Sequence, residues 1–173
     1  MRLNEVPIIT SAQIERRIVE LAGEISRDYA DRELVLIAVL KSSIVFASDL
    51  MRRLTIPILL DFVRARSYRN TESTGLVECT YLPEQDLPGK HVLILEDILD
   101  TGRTAATVVD RIRQESPSSI AVCALFDKPS RRKVPMTADY IGFKMDDQFI
   151  VGYGLDYNEC GRELPDVYVL EAD

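Results

Sequence analysis

The chain has 173 residues, 46% of them hydrophobic and 28% charged, enough for one domain with a substantial core and no staples. Its 28 Asp and Glu outnumber 21 Lys and Arg, and the resulting charge of -7 argues against a general nucleic-acid binder while allowing a small anionic substrate. A single histidine, His91, excludes a multi-histidine zinc site, and Cys79, Cys123 and Cys160, with no C-x-x-C pair, suit buried thiols in a reducing compartment.

The N-terminal segment MRLNEVPIIT has no long apolar signal region, and no window holds the ~18 apolar residues of a membrane span. A cytoplasmic location with no membrane partner is therefore expected. Ile14, Ile18, Leu21 and Ile25 recur at helical spacing, which predicts a helix over Ser11–Ala30 behind a cap at Thr10 or Ser11. Leu34–Leu40 (LVLIAVL) is a short, continuously apolar run, the mark of a strand buried on both faces. A helix over about Ser43–Arg53 and a strand over Ile56–Val63 follow. Residues 66–75 (RSYRNTESTG) read as a polar, mobile loop before a strand at Val77–Leu82. After the Pro88-Gly89-Lys90 turn come a buried strand at His91–Glu96, an amphipathic helix at Thr104–Glu115 and a third buried strand at Ile120–Phe126. Buried strands alternating with helices predict an α/β fold with a mainly parallel, doubly wound sheet. From Pro129 the pattern breaks into short segments (DYIGF, FIVGYG, VYVL), expected to form a small irregular lobe on the core. One domain, 1–173, is expected: a core over about 30–128, and a hood formed by about 129–173 with the N-terminal residues.

Ligands of such sheets bind beyond the carboxyl ends of the strands. The richest of these ends is Glu96–Thr104 (EDILDTGRT), three carboxylates followed by a Thr-Gly-x-Thr turn that opens a helix. Backbone N–H groups at a helix start, two hydroxyls and a glycine can cradle a phosphate. Carboxylates repel phosphate but accept hydrogen bonds from sugar hydroxyls or hold Mg²⁺. A phosphorylated sugar satisfies both halves. The plainer alternative makes Thr104 or Asp100 a helix cap and the acids a solvated loop. No Walker A string is present, so nucleoside-triphosphate hydrolysis is not indicated.

Val92–Thr104 (VLILEDILDTGRT) resembles the phosphoribosyl-pyrophosphate motif of type I phosphoribosyltransferases, in the acidic form of the hypoxanthine-guanine branch. Asp61–Gly75, with its Ser-Tyr pair, resembles that family's active-site loop. Asp127-Lys128 and Gln148–Leu164 (QFIVGYGLDYNECGREL) resemble its purine-binding and C-terminal segments. The resemblance implies transfer of phosphoribose from phosphoribosyl pyrophosphate to hypoxanthine or guanine, with release of pyrophosphate, assisted by Mg²⁺, in a homodimer or homotetramer.

Carried onto the matching residues, it implies that Glu96 and Asp97 hold the ribose hydroxyls and that Thr101, Gly102, Arg103 and Thr104 hold the 5′-phosphate. Asp100 becomes the general base, and Mg²⁺ falls to Glu96, Asp97 and Asp156. Lys128 would read the purine 6-oxo group, Phe149 would stack on the ring, and Ile150 and Asp156 would touch its edge. For Lys128 the plain alternative is solvent, for Phe149 core packing and for Arg162 a surface ion pair. Pyrophosphate would meet Lys41, Ser42, Arg162 and the loop pair Ser67-Tyr68. The family loop reads Leu-Lys-Gly-Ser with a cis peptide before the lysine, whereas this chain has Leu40-Lys41-Ser42-Ser43. A Cβ in place of glycine is expected to restrict the loop and weaken diphosphate binding modestly. The runner-up enzyme is a xanthine- or guanine-preferring relative. An RNA-binding regulator on the same fold is opposed by the charge and by Asp100, Lys128 and Phe149, and an inactive scaffold would leave the carboxylates idle.

Overall fold

A computed structural model describes residues 3–67, 77–81 and 84–171. Its centre is a six-stranded sheet of β1 (Leu34–Leu40), β2 (Ile58–Ser67), β3 (Val77–Tyr81), β4 (His91–Leu99), β5 (Ser119–Asp127) and β6 (Tyr140–Lys144). The strand order is β3-β2-β1-β4-β5-β6, parallel throughout except for the antiparallel β2–β3 pair.

The apolar run of β1 is divided between two cores by the period of two of a strand. Leu34, Leu36 and Ala38 face α1 (Ser11–Asp28) and α2 (Ile44–Met51), where Ile14, Ile18, Leu21, Ile25, Phe46 and Leu50 are buried. Val35, Ile37 and Val39 face α3 (Arg103–Arg113), packing with Val108, Val109 and Ile112. At roughly 1.5–3 kcal/mol per fully buried large aliphatic side chain, these two layers dominate the favourable side of folding. Thr10 caps α1 in a capping box: its hydroxyl accepts from the Gln13 N–H at 3.3 Å, and Gln13 Oε1 accepts from the Thr10 N–H at 2.8 Å.

Four expectations need correction. β2 runs to Ser67, beyond the expected end at Val63, because its last residues pair with β3, Ser67 opposite Val77. Residues 68–76 of the expected loop lie outside the described residues. β4 continues past Glu96 to Leu99, because β5 keeps pairing with it up to Leu99 opposite Asp127. The DYIGF segment, expected in the irregular tail, supplies β6, which pairs with β5 from Cys123–Tyr140 to Asp127–Lys144 and extends the sheet past the expected core limit. Of the three thiols expected to be buried, Cys123 is, Cys79 is partly so, and Cys160 is exposed.

The remaining C-terminal chain forms a lobe around the two-stranded pair β7 (Ile150–Val151) and β8 (Tyr168–Val169). N-terminal residues join it through the bridges Leu3–Leu170 and Ile9–Val167. Among the described residues no helix is long and apolar enough to cross a membrane.

Candidate active site

β1 and β4 lie side by side, but the chain leaves β1 through α2 toward β2 and leaves β4 through α3 toward β5. The connections diverge there, and a crevice opens above the carboxyl ends of the two strands. Two cavities of about 370 and 570 Å³ occupy it and share Ser42, Asp97, Ile98 and Asp100 as walls. The smaller adds Glu96 and the turn residues Thr101, Gly102 and Thr104; the larger adds Lys128, Phe149, Ile150 and Asp156. His91 starts β4 at the opposite end of the sheet, its Nδ1 2.7 Å from Ser119 Oγ.

Glu96 and Asp97 are both buried, at 4% and 8% exposure. Burial raises both carboxyls above the usual range, Glu96 the more strongly, with the Asp97 charge adding to the effect. Hydrogen bonds from the Ile98 and Asp97 backbone and from Ser42, and then the charge of Arg162, draw Asp97 back down. Glu96 Oε2 is buried with no hydrogen-bond partner among the described residues. A buried acceptor without a donor is costly, and a hydroxyl or a cation would satisfy it.

The turn is shaped by Gly102, the N-cap of α3, at φ 82°. A Cβ there would lie 2.9 Å from Arg132 Cδ and 3.0 Å from Met136 Cβ, so both conformation and packing demand glycine. The N-cap position falls on Gly102, which has no side chain, so neither Asp100 nor Thr104 is the N-cap of α3. Thr101 Oγ1 accepts from the Arg103 N–H at 3.4 Å. Arg103 is exposed on the first turn and is not among the cavity walls.

Across the larger cavity, Lys128 is buried at 6% exposure and its Nζ donates to the Gln148 carbonyl. It therefore does not run to solvent. Desolvation pulls its pKa below the usual lysine value, partly offset by Asp100 and Asp147. Phe149 is 55% exposed, which rules out core packing; its ring meets Tyr157 edge-on at 5.8 Å. Ile150 forms the buried floor beside it.

The Leu40–Lys41 peptide is cis. Lys41 Nζ and Arg162 Nη2 share one oxygen, Glu159 Oε2, at 3.0 and 3.3 Å. Arg162 Nη2 also pairs with Asp156 Oδ1 at 2.8 Å, so Arg162 belongs to a network that links the C-terminal lobe to the loop after β1. Asp156 accepts in addition from the Glu159 N–H at 2.8 Å. It is thus occupied, and among the described residues no three His, Cys, Asp or Glu side chains cluster around a metal position. The trio Glu96, Asp97 and Asp156 is not brought together. Ser67 ends β2, and Tyr68 lies outside the described residues.

Sequence reasoning missed two arginines that stand three and four residues after Lys128. Arg131 Nε contacts Asp100 Oδ1 at 3.1 Å and its Nη1 reaches Asp147 Oδ2 at 3.3 Å. Arg132 pairs with buried Asp127 and donates to the carbonyls of Leu99, at 2.7 Å, and Asp100, bracing the turn from beneath. Their closeness to a strand-end lysine, in Lys128-Pro-Ser-Arg-Arg, was the available signal.

A mainly parallel α/β sheet thus carries an acidic ledge and a glycine-bent turn at its switch point. The family model described as "Phosphoribosyl transferase domain" matches residues 8–158, and the chain belongs to that family. It is 38% identical over 166 residues to a hypoxanthine-guanine phosphoribosyltransferase of Aquifex aeolicus, covering 95% of this chain and 93% of the relative. It is 41% identical over 161 residues to a hypoxanthine phosphoribosyltransferase of Salmonella typhimurium, covering 91% and 90%. A crystal structure of a hypoxanthine-guanine phosphoribosyltransferase from Bacillus anthracis, with HEPES in its active site, superposes with a TM-score of 0.92 at 42% identity, covering 96% of this chain and 99% of that one.

Proposed function

We propose that this protein salvages purines, transferring phosphoribose from phosphoribosyl pyrophosphate to hypoxanthine or guanine and releasing pyrophosphate. The observation that carries the reading is the joint wall at Asp97 and Asp100. It places a cavity with a phosphate turn next to one holding a buried lysine and an exposed aromatic ring.

Thr101, Gly102, Arg103 and Thr104 hold the 5′-phosphate at the start of α3, where N–H groups and the helix dipole favour an anion. Glu96 and Asp97 accept hydrogen bonds from the ribose hydroxyls, which supply the donor that Glu96 Oε2 lacks. As the bond from C1′ to pyrophosphate breaks, positive charge grows on the ribosyl ring and the carboxylates stabilise it. The purine nitrogen forms the new bond to C1′, and Asp100 takes the proton the imidazole ring loses. Lys128 donates to the 6-oxo group, Phe149 stacks on the base, and Ile150 and Asp156 bound its edge. Lys41, Ser67, Tyr68 and Arg162 receive the pyrophosphate, and Ser42 contributes to the same loop through its backbone.

The acids also fit Mg²⁺. One orphaned carboxylate oxygen beside a second buried acid suits an ion that takes one or two protein carboxylates and leaves its other positions to water and phosphate. Glu96 and Asp97 would hold it, with Asp156 reached at most through water, and it would neutralise charge on the leaving diphosphate. A cytoplasmic homodimer or homotetramer completes the reading.

Nucleotide release from hypoxanthine, guanine, xanthine and adenine, each with phosphoribosyl pyrophosphate and Mg²⁺, tests it. Hypoxanthine or guanine should be consumed and adenine refused; product from adenine alone would sink the reading. A second outcome concerns Glu159, whose oxygen occupies both diphosphate cations. Glu159→Gln should tighten magnesium pyrophosphate about two- to fivefold, the scale of an exposed ion pair. Calorimetric titration reads this directly, and weaker binding would make Glu159 a holder of the two cations and no competitor.

A further inference from the structure

Ser42 stands where the family loop carries glycine. One ground for the expected penalty, a left-handed backbone, is absent at Ser42. Among the described non-glycine residues φ is positive only at Ser116, Tyr153, Asn158 and Glu159. Ser42 is therefore not in the conformation that favours glycine.

Its side chain is engaged across the molecule. Arg162 Nη1 donates to Ser42 Oγ at 3.0 Å and to the Gly154 carbonyl at 2.9 Å, a contact spanning 120 residues of sequence. The other terminal nitrogen, Nη2, is taken by the carboxylates of Asp156 and Glu159. Backbone meets backbone at the same place: a Cβ on Gly154 would lie 2.4 Å from the Ser42 carbonyl oxygen. Ser42 is thus, beside the Lys41–Glu159 pair, a second point at which the loop after β1 touches the segment carrying Arg162. Ser42 and Asp97 are walls of both cavities.

We propose that Ser42 is a positioning residue whose hydroxyl fixes the Arg162 guanidinium across the seam between core and C-terminal lobe, so that Arg162 and Lys41 face one diphosphate. Glycine cannot make this contact. The serine is a replacement with its own function in the loop, and its hydroxyl does not merely duplicate donors. The proposal rests on the reading above that Lys41 and Arg162 receive pyrophosphate.

Calorimetric titration of magnesium pyrophosphate into Ser42→Ala, Ser42→Gly, Ser42→Thr and Arg162→Ala, with the Ser42→Ala/Arg162→Ala double variant, tests it. Loss of a hydrogen bond to a charged group predicts binding weakened about tenfold in both Ser42→Ala and Ser42→Gly. Ser42→Thr keeps the hydroxyl and should stay within about threefold of the parent. The KM for phosphoribosyl pyrophosphate should rise with the loss while the KM for hypoxanthine moves by less than about twofold. Adding Ser42→Ala to Arg162→Ala should cost nothing more, since the hydroxyl acts through that guanidinium. A Ser42→Gly protein that binds as tightly as the parent, or losses that simply add in the double variant, would overturn the proposal. So would equal rises in both KM values with a lowered melting temperature, which is the signature of general loosening. If Arg162→Ala alone left pyrophosphate binding unchanged, the underlying assignment would fail, and the proposal with it.

Discussion

Asp100→Asn should lower turnover by roughly 10²–10⁴-fold, the range for a positioned acid or base, while the fold stays intact. Asp100 is the first residue beyond β4 and one of the four walls common to the two cavities. Its backbone carbonyl is held by Arg132, and its carboxylate is directed by Arg131 at 3.1 Å. Asparagine has the same shape and keeps one oxygen for Arg131, so the turn should not move. What it loses is the ability to take a proton. Single-turnover formation of nucleotide, with the melting temperature measured beside it, separates chemistry from stability. Turnover within about threefold of the parent would remove Asp100 from the mechanism.

The central strands were legible because burial on both faces leaves a continuous apolar run, as in LVLIAVL of β1, and helices filled the gaps between runs. The end of β4 was not. An acid after an apolar strand looks like the start of a loop, and only the continued pairing with β5 keeps the chain beyond Glu96 extended as far as Leu99. The half-buried edge strand β6 lacked such a run, and its partner is fixed by the sheet. Seven of the sixteen proposed site residues could be placed from one string, Glu96–Thr104, because strand end, turn and helix start follow one another in sequence. Arg131, Arg132 and Glu159 could not, since their partners are set by tertiary geometry. Ser42 shows the limit most clearly: its departure from the family loop was visible, but the expected consequence was steric. Its actual neighbour, Arg162, is 120 positions away.

Removing the ammonium of Lys128 should impair oxopurine use far more than phosphoribosyl-pyrophosphate binding. Lys128→Ala and Lys128→Met should each lose about 10- to 100-fold in kcat/KM for hypoxanthine, the scale of a charged hydrogen bond in a closed pocket. The methionine variant matters because Lys128 Nζ also donates to the Gln148 carbonyl, next to Phe149. Alanine removes both the packing of the stem and the charge; methionine keeps most of the stem. In Lys128→Met, adenine should lose nothing or gain, because its amino group no longer faces an ammonium with which it cannot pair. The alkaline side of the pH profile offers a second reading. Desolvation lowers the Lys128 pKa, so the charged form is present below that value and is lost as pH rises through it. Hypoxanthine use by the parent should therefore decline at a pH below the ordinary lysine range, and that limb should vanish in Lys128→Met. Equal losses for hypoxanthine, adenine and phosphoribosyl pyrophosphate, with the alkaline limb unchanged, would make Lys128 a support of the pocket and no reader of the 6-oxo group.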